Sequence, residues 1–413
     1  MEFNYVPGGV CAAKGFQAAG VHCGVKSSSH GLPSTNLKND LAMILSDCDC
    51  AAAAVYTTNR VKAAPLYVTM DHLAHGKCRG VIANSGNANA CCPGSKENAE
   101  EMCALAAAAT GLKPGDFAVA STGVIGQTIN IAAIGGGMPA LAAALNYDGS
   151  DAAAQAIMTT DTVKKELALS FELAGKTVTM GAIAKGSGMI HPNMGTMLCF
   201  ITTDCDISTP MLSKALHTVV PRTFNRVTVD GDTSTNDTCL VLANGKAGNA
   251  CITGETESYQ VFAAALSELC TRLARAIAAD GEGASRLITC TVSGAADEQT
   301  AEGLAKSVVG SSLVKAAMFG ADANWGRVLC AMGYSGEAFD PEKVDVTFRS
   351  CEGEVAVCRA GQALAFDEEL ASRVLHAEEI VIDITLSEGE GEATCWGCDL
   401  TYEYVKINGD YRS

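Results

Sequence analysis

A threonine stands at the end of a glycine-rich stretch and at the start of an apolar run. Residues 185–204 read KGSGMIHPNMGTMLCFITTD, and Thr196 follows Gly195 where a buried strand is predicted to begin. A threonine hydroxyl is a weak nucleophile unless a base removes its proton, and one economical base is the α-amino group of the same residue. That amine exists only if the chain is cut before Thr196, and its reference pKa of about 7.7–8.0 suits a base at neutral pH.

The cut itself can use the same hydroxyl. Attack on the carbonyl of Gly195 is an N-to-O acyl shift, and hydrolysis of the resulting ester frees the threonine amine. A glycine before the threonine permits the unusual backbone geometry that this attack requires. A Gly-Thr pair at the start of a strand is more often an ordinary turn, so the residues alone leave both interpretations open.

Two neighbouring motifs resemble ligand loops without matching them. Lys185 precedes its glycines, whereas the lysine of a phosphate-binding loop follows them, so a nucleotide site is not predicted. The segment VDGDTSTNDT (229–238) begins like a calcium loop, but Thr235 and Val241 stand where such a loop needs Gly and Glu. A hydrogen-bonded turn is therefore the better interpretation of that segment.

Two glycine-containing segments earlier in the chain are weaker signals. ASTGVIG (120–126) follows a predicted strand and places Thr122 and Gly123 in a turn, where backbone N–H groups could bind an oxyanion. Taken alone, an ordinary loop is the better interpretation. The glycines at 135–137 carry no chemistry, and Pro139 beside them suggests the start of a helix.

Composition excludes several classes of partner. The 413-residue chain has a formal net charge of −17, so a nucleic-acid backbone or an anionic membrane surface would be repelled. No apolar run reaches the ~18 residues that a membrane span needs, and residues 1–16 lack the features of a secretory signal. We therefore expect a cytoplasmic protein that binds neither nucleic acid nor membrane.

The cysteines are numerous but show no recognisable framework. The chain has 19 of them, an odd number, and no export signal, so disulfides are not expected. The close groupings, such as Cys395 with Cys398, lack histidines at the spacing of a zinc site. We expect reduced, mostly buried thiols and no metal.

Short β-branched runs alternate with alanine-rich helical patterns along the chain. Strands are predicted at 78–84, 116–122, 177–184, 196–203, 226–230, 286–292, 343–349, 380–386 and 401–407. Helices are predicted at 97–110, 151–158, 210–219, 257–279, 297–317 and 367–375. No Pro/Ser-rich or charged linker divides the chain, so composition indicates no domain boundary.

Together these motifs resemble the ornithine acetyltransferases of arginine biosynthesis, also called glutamate N-acetyltransferases. The resemblance covers essentially the whole chain and rests on segments that occur in the family's order: TTNRVKAAP (57–65), NSGNANAC (84–91), STGVIGQ (121–127), MTTDT (158–162), KGSGMIHPNMGTMLCFITTD (185–204), FNRVTVDGDTSTNDT (224–238), DGEGA (280–284), WGCDLTYEYVKIN (396–408) and DYRS (410–413). So many long matches in one order are specific.

The resemblance implies a precursor that cuts itself. The cut would fall between Gly195 and Thr196, giving an alpha chain of residues 1–195 and a beta chain of residues 196–413. The two chains would remain one folded unit and assemble as a heterotetramer of two alpha and two beta chains. The implied fold is α/β, with two β-sheets sandwiched between helical layers in the manner of N-terminal-nucleophile enzymes, and a smaller α/β region towards the C-terminus.

The resemblance also implies the reaction. Thr196 would take the acetyl group of N2-acetyl-L-ornithine, and L-glutamate would then attack the acetyl-threonine ester in a ping-pong transfer. Thr122 and Gly123 match the family's oxyanion hole. No cofactor is implied, and acetyl-CoA stays open as a second donor.

Further residues match the family's substrate contacts. Lys185 suits the shared carboxylate, and Glu282 matches the acidic contact for the amino end. The remaining contacts match one or both of Thr159 and Thr160, together with Asn408 and Ser413. His191 stands where a small apolar residue is more usual, and we expect it to be a neighbour of the site.

Two other functions compete with this interpretation. An N-terminal-threonine amidase or aminopeptidase would use the same nucleophile with water as acceptor. A non-catalytic amino-acid-binding protein would keep Thr196 as an ordinary core residue.

Overall fold

Two β-sheets and their covering helices make up the computed structural model, which describes residues 3–26, 37–191 and 197–410. The predicted α/β class with two sheets is confirmed. The strands are β1 Asn4–Tyr5, β2 Phe16–Val21, β3 Leu41–Tyr56, β4 Lys77–Asn87, β5 Phe117–Val124, β6 Lys165–Leu173, β7 Lys176–Lys185, β8 Leu198–Thr203, β9 Val227–Thr228, β10 Thr238–Ala243, β11 Leu287–Ala295, β12 Asp345–Ser350, β13 Gly353–Arg359, β14 Gln362–Ala363, β15 Glu379–Thr385 and β16 Gly391–Cys398.

The helices cover both sheets. They are α1 Ala64–His72, α2 Ser95–Thr110, α3 Ile131–Ala143, α4 Ser150–Ile157, α5 Thr209–Arg222, α6 Glu257–Ala279, α7 Glu298–Gly310, α8 Ser312–Phe319, α9 Trp325–Gly333, α10 Glu368–Leu375 and α11 Tyr402–Asp410. Within the described residues, no helix is both long enough and apolar enough to cross a membrane.

The larger sheet interleaves early and late parts of the chain. Its strands run in the order β1-β6-β7-β8-β10-β3-β4-β5, and β2 pairs with β3. Strand β8 is antiparallel to β7 and parallel to β10, and β10 is antiparallel to β3. Strands β8 and β10 therefore lie between β7 and the much earlier strand β3.

Both faces of this sheet are buried, which explains why its central strands are continuous apolar runs. Along β8, Cys199 and Ile201 enter the core that contains α5 and α6. Leu198 and Phe200 point the other way, into the core that contains α4. The apolar stripe of α6 lies in the first of these cores, and both ends of that helix are as predicted.

The smaller sheet uses mainly the C-terminal part of the chain. Its order is β14-β13-β12-β15-β11-β16-β9, and helices α7 to α10 pack on it around a separate apolar core. Trp396 and Cys398 of β16 nevertheless belong to the core of α6, so the two sheets share that helix as a neighbour.

The predicted strand at 401–407 is wrong, because residues 402–407 belong to α11. The alternation of Tyr and Val with polar residues imitates a strand. The hydroxyl of Thr401 accepts the backbone N–H of Glu403 at 3.2 Å, and this bond starts a helix instead.

Three other boundaries differ from prediction. The helix predicted at 297–317 is two helices, because Ser311 has an extended backbone and its hydroxyl accepts the N–H of Val314. Pro139 lies inside α3, whose start is capped by Asn130. The strand predicted at 226–230 is only Val227–Thr228. Helices α1 and α9 were not predicted.

Candidate active site

A polar cavity of about 320 Å³ lies at one end of the large sheet. It is lined by Thr122, Gly123, Val124, Ile125, Thr159, Thr160, Lys185, Gly188, Met189, Ser234, Thr235, Asn236, Glu282 and Asn408. The structure thus brings together the predicted residues of five separate motifs. The other predicted site residues, Gly195, Thr196 and Ser413, lie outside the described residues.

Sheet topology explains why three of these segments meet. Lys185 ends β7, the described chain resumes at Met197 just before β8, and Asn236 lies just before β10. Because β7 is antiparallel to β8 and β8 is parallel to β10, these ends lie at the same edge of the sheet. Met197 and Leu198 also line a small chamber of about 20 Å³ that shares several walls with the cavity.

Lys185 provides the positive charge of the cavity. Only 8% of its surface is exposed, and within the described residues no carboxylate lies within ion-pairing distance of its ammonium. A buried ammonium without a direct ionic partner is costly, and it is well placed to accept a ligand carboxylate.

Glu282 provides the negative charge. It follows α6, and its backbone N–H donates to the carbonyl of Ser187 at 3.0 Å. Its carboxylate is mostly buried and accepts a hydrogen bond from the side-chain amide of Asn408 at 2.8 Å. Lys185 and Glu282 therefore present opposite charges to one cavity.

Thr122 and Gly123 lie in β5 rather than in the predicted turn. Gly123 has a φ of +132°, and a Cβ at this position would lie 2.3 Å from the carbonyl carbon of Gly86. Only glycine fits, because the two strands approach each other too closely for a side chain. The glycine thus lets the end of β5 lie close to β4 at the wall of the cavity.

Asn236 ties the loop before β10 to the end of β5. Its side-chain amide donates to the carbonyl of Ser121 at 2.8 Å and to that of Ala88 at 2.6 Å. Asn236 is buried, so these bonds satisfy polar groups that water does not reach. The position of Thr122 relative to the sheet edge depends on this contact.

The segment 229–238 forms the hydrogen-bonded turn that was predicted, and it also lines the cavity. Asp230 accepts the N–H groups of Met189 and Ile190 at 2.6 and 2.9 Å. Ser234 and Asn236 are lining residues that the sequence prediction missed. The sequence feature that could have identified them is the dense run of short polar side chains before β10.

His191 is a neutral neighbour of this turn. Its Nδ1 lies 3.0 Å from the hydroxyl of Thr228. Burial lowers the pKa of His191 to about 4, and the ammonium of Lys306 acts in the same direction. His191 does not line the cavity in the described part of the chain, as expected for a neighbour.

The thiols carry no metal-binding arrangement among the described residues, where no group of three or more potential ligands occurs. All 19 cysteines are unpaired. Burial is the main cause that raises the pKa of many of them, as at Cys50 and Cys103, where the pKa is about 12. Such thiols are poor nucleophiles.

The geometry thus combines a cation, an anion and the strand residues Thr122 and Gly123 in one cavity. A cation and an anion that line one cavity suit a small molecule that carries both a carboxylate and an amine. Backbone N–H groups can stabilise a developing oxyanion.

Known proteins match this chain over nearly its whole length. The ArgJ family model matches residues 17–413. The arginine biosynthesis bifunctional protein ArgJ of Symbiobacterium thermophilum is 52% identical over 411 residues, which cover 99% of this chain and 100% of the relative. ArgJ 1 of Clostridium acetobutylicum, which carries the same description, is 47% identical and covers 96% of each chain.

Solved structures are similar as well. The crystal structure of arginine biosynthesis bifunctional protein ArgJ from Bacillus halodurans is 46% identical and covers 51% of this chain and 98% of its own, with a TM-score of 0.49.

Proposed function

The chain belongs to the ArgJ family, whose members include bifunctional enzymes of arginine biosynthesis, and on this premise we propose that it is an ornithine acetyltransferase. It moves the acetyl group of N2-acetyl-L-ornithine to L-glutamate through an acetyl-threonine intermediate. The observation that carries this proposal is that Lys185 and Glu282, a cation and an anion, line one polar cavity.

The charge pair supports the choice of substrates. Donor and acceptor share an α-carboxylate, which Lys185 binds as the cation without a direct partner among the described residues. Glu282, oriented by Asn408, binds the amino end of ornithine. Because both substrates are α-amino acid derivatives, one cavity serves them in turn.

The chemistry follows from the nucleophile. The hydroxyl of Thr196 attacks the acetyl carbonyl, and the α-amino group of Thr196 takes the hydroxyl proton and passes it to the departing amine of ornithine. The amine of L-glutamate then attacks the ester, and the threonine hydroxyl regains its proton. Each step passes through an oxyanion that Thr122 and Gly123 stabilise, and one such donor contributes about 3 kcal/mol in other enzymes.

Three further residues were predicted to contact the substrate. Thr159 and Thr160 both line it, so either hydroxyl can contact the substrate. We assign Ser413 the same role from the family resemblance. The described chain resumes directly after Thr196 at Met197 and Leu198, which line the small chamber beside the cavity, and this supports the choice of Thr196 as the nucleophile.

Self-cleavage is part of the proposal. An alpha chain of residues 1–195 and a beta chain of residues 196–413 would share the large sheet, because β8 and β10 lie between β7 and β3. The hydrogen bonds of β7 with β8 and of β3 with β10 would hold the chains together after the cut. The cytoplasmic location is proposed from the composition of the sequence, and the assembly of two alpha with two beta chains from the family resemblance.

The denaturing intact mass of the purified protein tests the nucleophile. We expect two fragments that meet between Gly195 and Thr196, whereas Thr196→Ala stays a single chain. A single chain of 42.5 kDa from folded wild-type protein would mean that Thr196 has no free amine, and the proposed mechanism would then fail.

The identity of the molecule that accepts the acetyl group, L-glutamate or water, distinguishes a transferase from a hydrolase. With N2-acetyl-L-ornithine and L-glutamate present, we expect N-acetylglutamate in proportion to the ornithine released. Free acetate in place of N-acetylglutamate would instead identify an N-terminal-threonine amidase. Acetyl-CoA in place of N2-acetyl-L-ornithine shows in the same assay whether the enzyme accepts a second donor.

A further inference from the structure

A buried cluster of three charged side chains lies beside the cavity. The ammonium of Lys165 is 2.7 Å from a carboxylate oxygen of Asp161 and 2.6 Å from one of Asp280. The exposed fractions of these side chains are 1%, 0% and 6% in that order. Neither the sequence motifs nor the proposed mechanism assigns a role to Lys165.

Each carboxylate of the cluster holds a segment that lines the cavity. Asp161 accepts the backbone N–H of Gly186 at 2.8 Å and that of Thr159 at 3.1 Å. Gly186 directly follows Lys185, so Asp161 fixes the backbone on which Lys185 stands.

Asp280 holds the third segment. Asp280 stands two residues before Glu282 in the chain. Its backbone carbonyl accepts a hydrogen bond from the hydroxyl of Ser187 at 2.6 Å. Its carboxylate accepts the N–H of Thr162 at 3.1 Å and also the Thr162 hydroxyl. Lys165 therefore joins, through two carboxylates, the backbone segments of Thr159, Lys185 and Glu282.

Cations outside the cluster also act on its carboxylates. Two carboxylates face one ammonium within the cluster, and the ammonium groups of Lys185 and Lys26 act on Asp161 as well. Burial alone would raise the pKa of Asp161, but the ammonium groups of Lys185 and Lys165 outweigh it and bring the pKa to about 2. Asp161 is thus ionised and attracts Lys185 electrostatically.

A buried ion cluster is an expensive way to hold a core together. Replacing such a cluster with apolar residues of similar volume is often neutral or stabilising, whereas removing one member alone leaves an uncompensated charge. Packing therefore gives no reason for these three charges, while their connections to three walls of the cavity do.

We propose that Lys165, with Asp161 and Asp280, is a positioning cluster that sets the separation of Lys185 and Glu282 and so determines the affinity for α-amino acid substrates. This inference rests on the proposed function. The cluster acts through Lys185 and Glu282 and does not touch the reacting atoms.

Lys165→Met tests the proposal, because methionine keeps an unbranched side chain of nearly the same length and removes the charge. Lys185 and Glu282 bind the parts of the substrate that do not react, so their displacement weakens binding in the ground state and transition state alike. We expect the KM for N2-acetyl-L-ornithine and for L-glutamate to rise by about tenfold each, with kcat within about threefold of wild type.

A second substitution restores the charge balance. In Lys165→Met with Asp280→Asn, Asp161 keeps Lys185 as its cation, and we expect most of the lost affinity to return. Arg226→Met is the matched control, because Arg226 is a mostly buried cation paired with Glu298 and Glu302 outside the cavity. It should lower the melting temperature without changing either KM.

Two results would overturn the proposal. One is an unchanged KM in folded Lys165→Met protein. The other is a double variant whose KM is no better than that of the single variant. If Lys165→Met does not fold, Thr162→Val removes one donor to Asp280, and an unchanged KM in that variant overturns the proposal equally.

Hydrogen–deuterium exchange separates this inference from the proposed function. In Lys165→Met the amides of segments 185–188 and 280–283 should exchange faster than in the wild type, and those in Arg226→Met should not. If the wild type transfers no acetyl group, the proposed function fails, yet the exchange still reports on the cluster. Unchanged exchange in both segments would overturn the positioning role.

Discussion

Gly188 lies directly against the carboxylate of Glu282. A Cβ at position 188 would lie 2.3 Å from the carboxyl carbon of Glu282, which is closer than any real contact. The carboxylate can stay in the cavity only because residue 188 has no side chain. This contact gives a reason for one glycine of the KGSG motif that does not involve phosphate binding.

Gly188→Ala should therefore displace Glu282 and weaken substrate binding. We expect the KM for N2-acetyl-L-ornithine to rise by about tenfold, with a smaller change in kcat. Steady-state kinetics measures both. Gly254→Ala is the control, since a Cβ there meets no atom within 4 Å, and an unchanged KM in Gly188→Ala would contradict the role given to Glu282.

Asn408 orients Glu282, so its replacements should differ in a defined order. Asn408→Ala removes the 2.8 Å hydrogen bond, and we expect the KM to rise by about threefold. Asn408→Asp places a second carboxylate against the first, and repulsion should raise the KM by about tenfold. Asn130→Asp adds the same charge at an exposed helix cap, where Asp serves as well as Asn. Equal effects of Ala and Asp at position 408 would argue against this contact.

Asn236 should affect catalysis as well as stability. Asn236→Ala leaves the buried carbonyls of Ser121 and Ala88 without its amide, which costs about 1–3 kcal/mol for each group. Because Thr122 follows Ser121, we expect kcat to fall by about tenfold or more.

The control for Asn236 is a buried amide elsewhere. Asn249 donates to the carbonyls of Asp206 and Ala250 at 3.0 and 2.9 Å, away from the cavity. Asn249→Ala should lower the melting temperature similarly and leave kcat unchanged. Equal kcat losses in both variants would show that the effect is only structural.

His191 should make the folded state sensitive to mild acid. Its pKa is about 4 in the folded protein, because of burial and Lys306, and the ordinary histidine value is near 6.5. Between these values the unfolded chain binds more protons, so the free energy of unfolding should fall as the pH falls from about 6.5 to 4.

His191→Gln should reduce that slope. Urea unfolding at several pH values between 4.5 and 7 measures it, and His376→Gln, at an exposed histidine, is the control. Identical slopes in the wild type and His191→Gln would contradict the assignment.

Local patterns were sufficient for much of the secondary structure. The predicted helix at 257–279 matches the structure at both ends, because the spacing of Phe262, Leu266 and Leu269 follows the helical period of 3.6 residues in the sequence itself. The central strand after Thr196 was equally visible as an apolar run. Residues 401–407 show where local patterns fail. Their alternating pattern predicts a strand, but the hydroxyl of Thr401 caps a helix there.

The motifs also identified half of the residues that line the cavity before any fold was known. Lys185, Glu282 and Asn408 were named from their segments, and the structure places all three around one cavity. What the sequence could not provide was their separation in space, which depends on how β7, β8 and β10 pair.

Only the tertiary structure revealed the role of Lys165 and Asn236. In the sequence, Lys165 is one of two adjacent lysines at the start of a strand, and nothing marks it as buried. Its partner Asp280 is 115 residues away, and Asn236 reaches a carbonyl 148 residues away. Local propensity carries no information about such distant contacts, because they form only when the sheet brings separate strand ends to one edge.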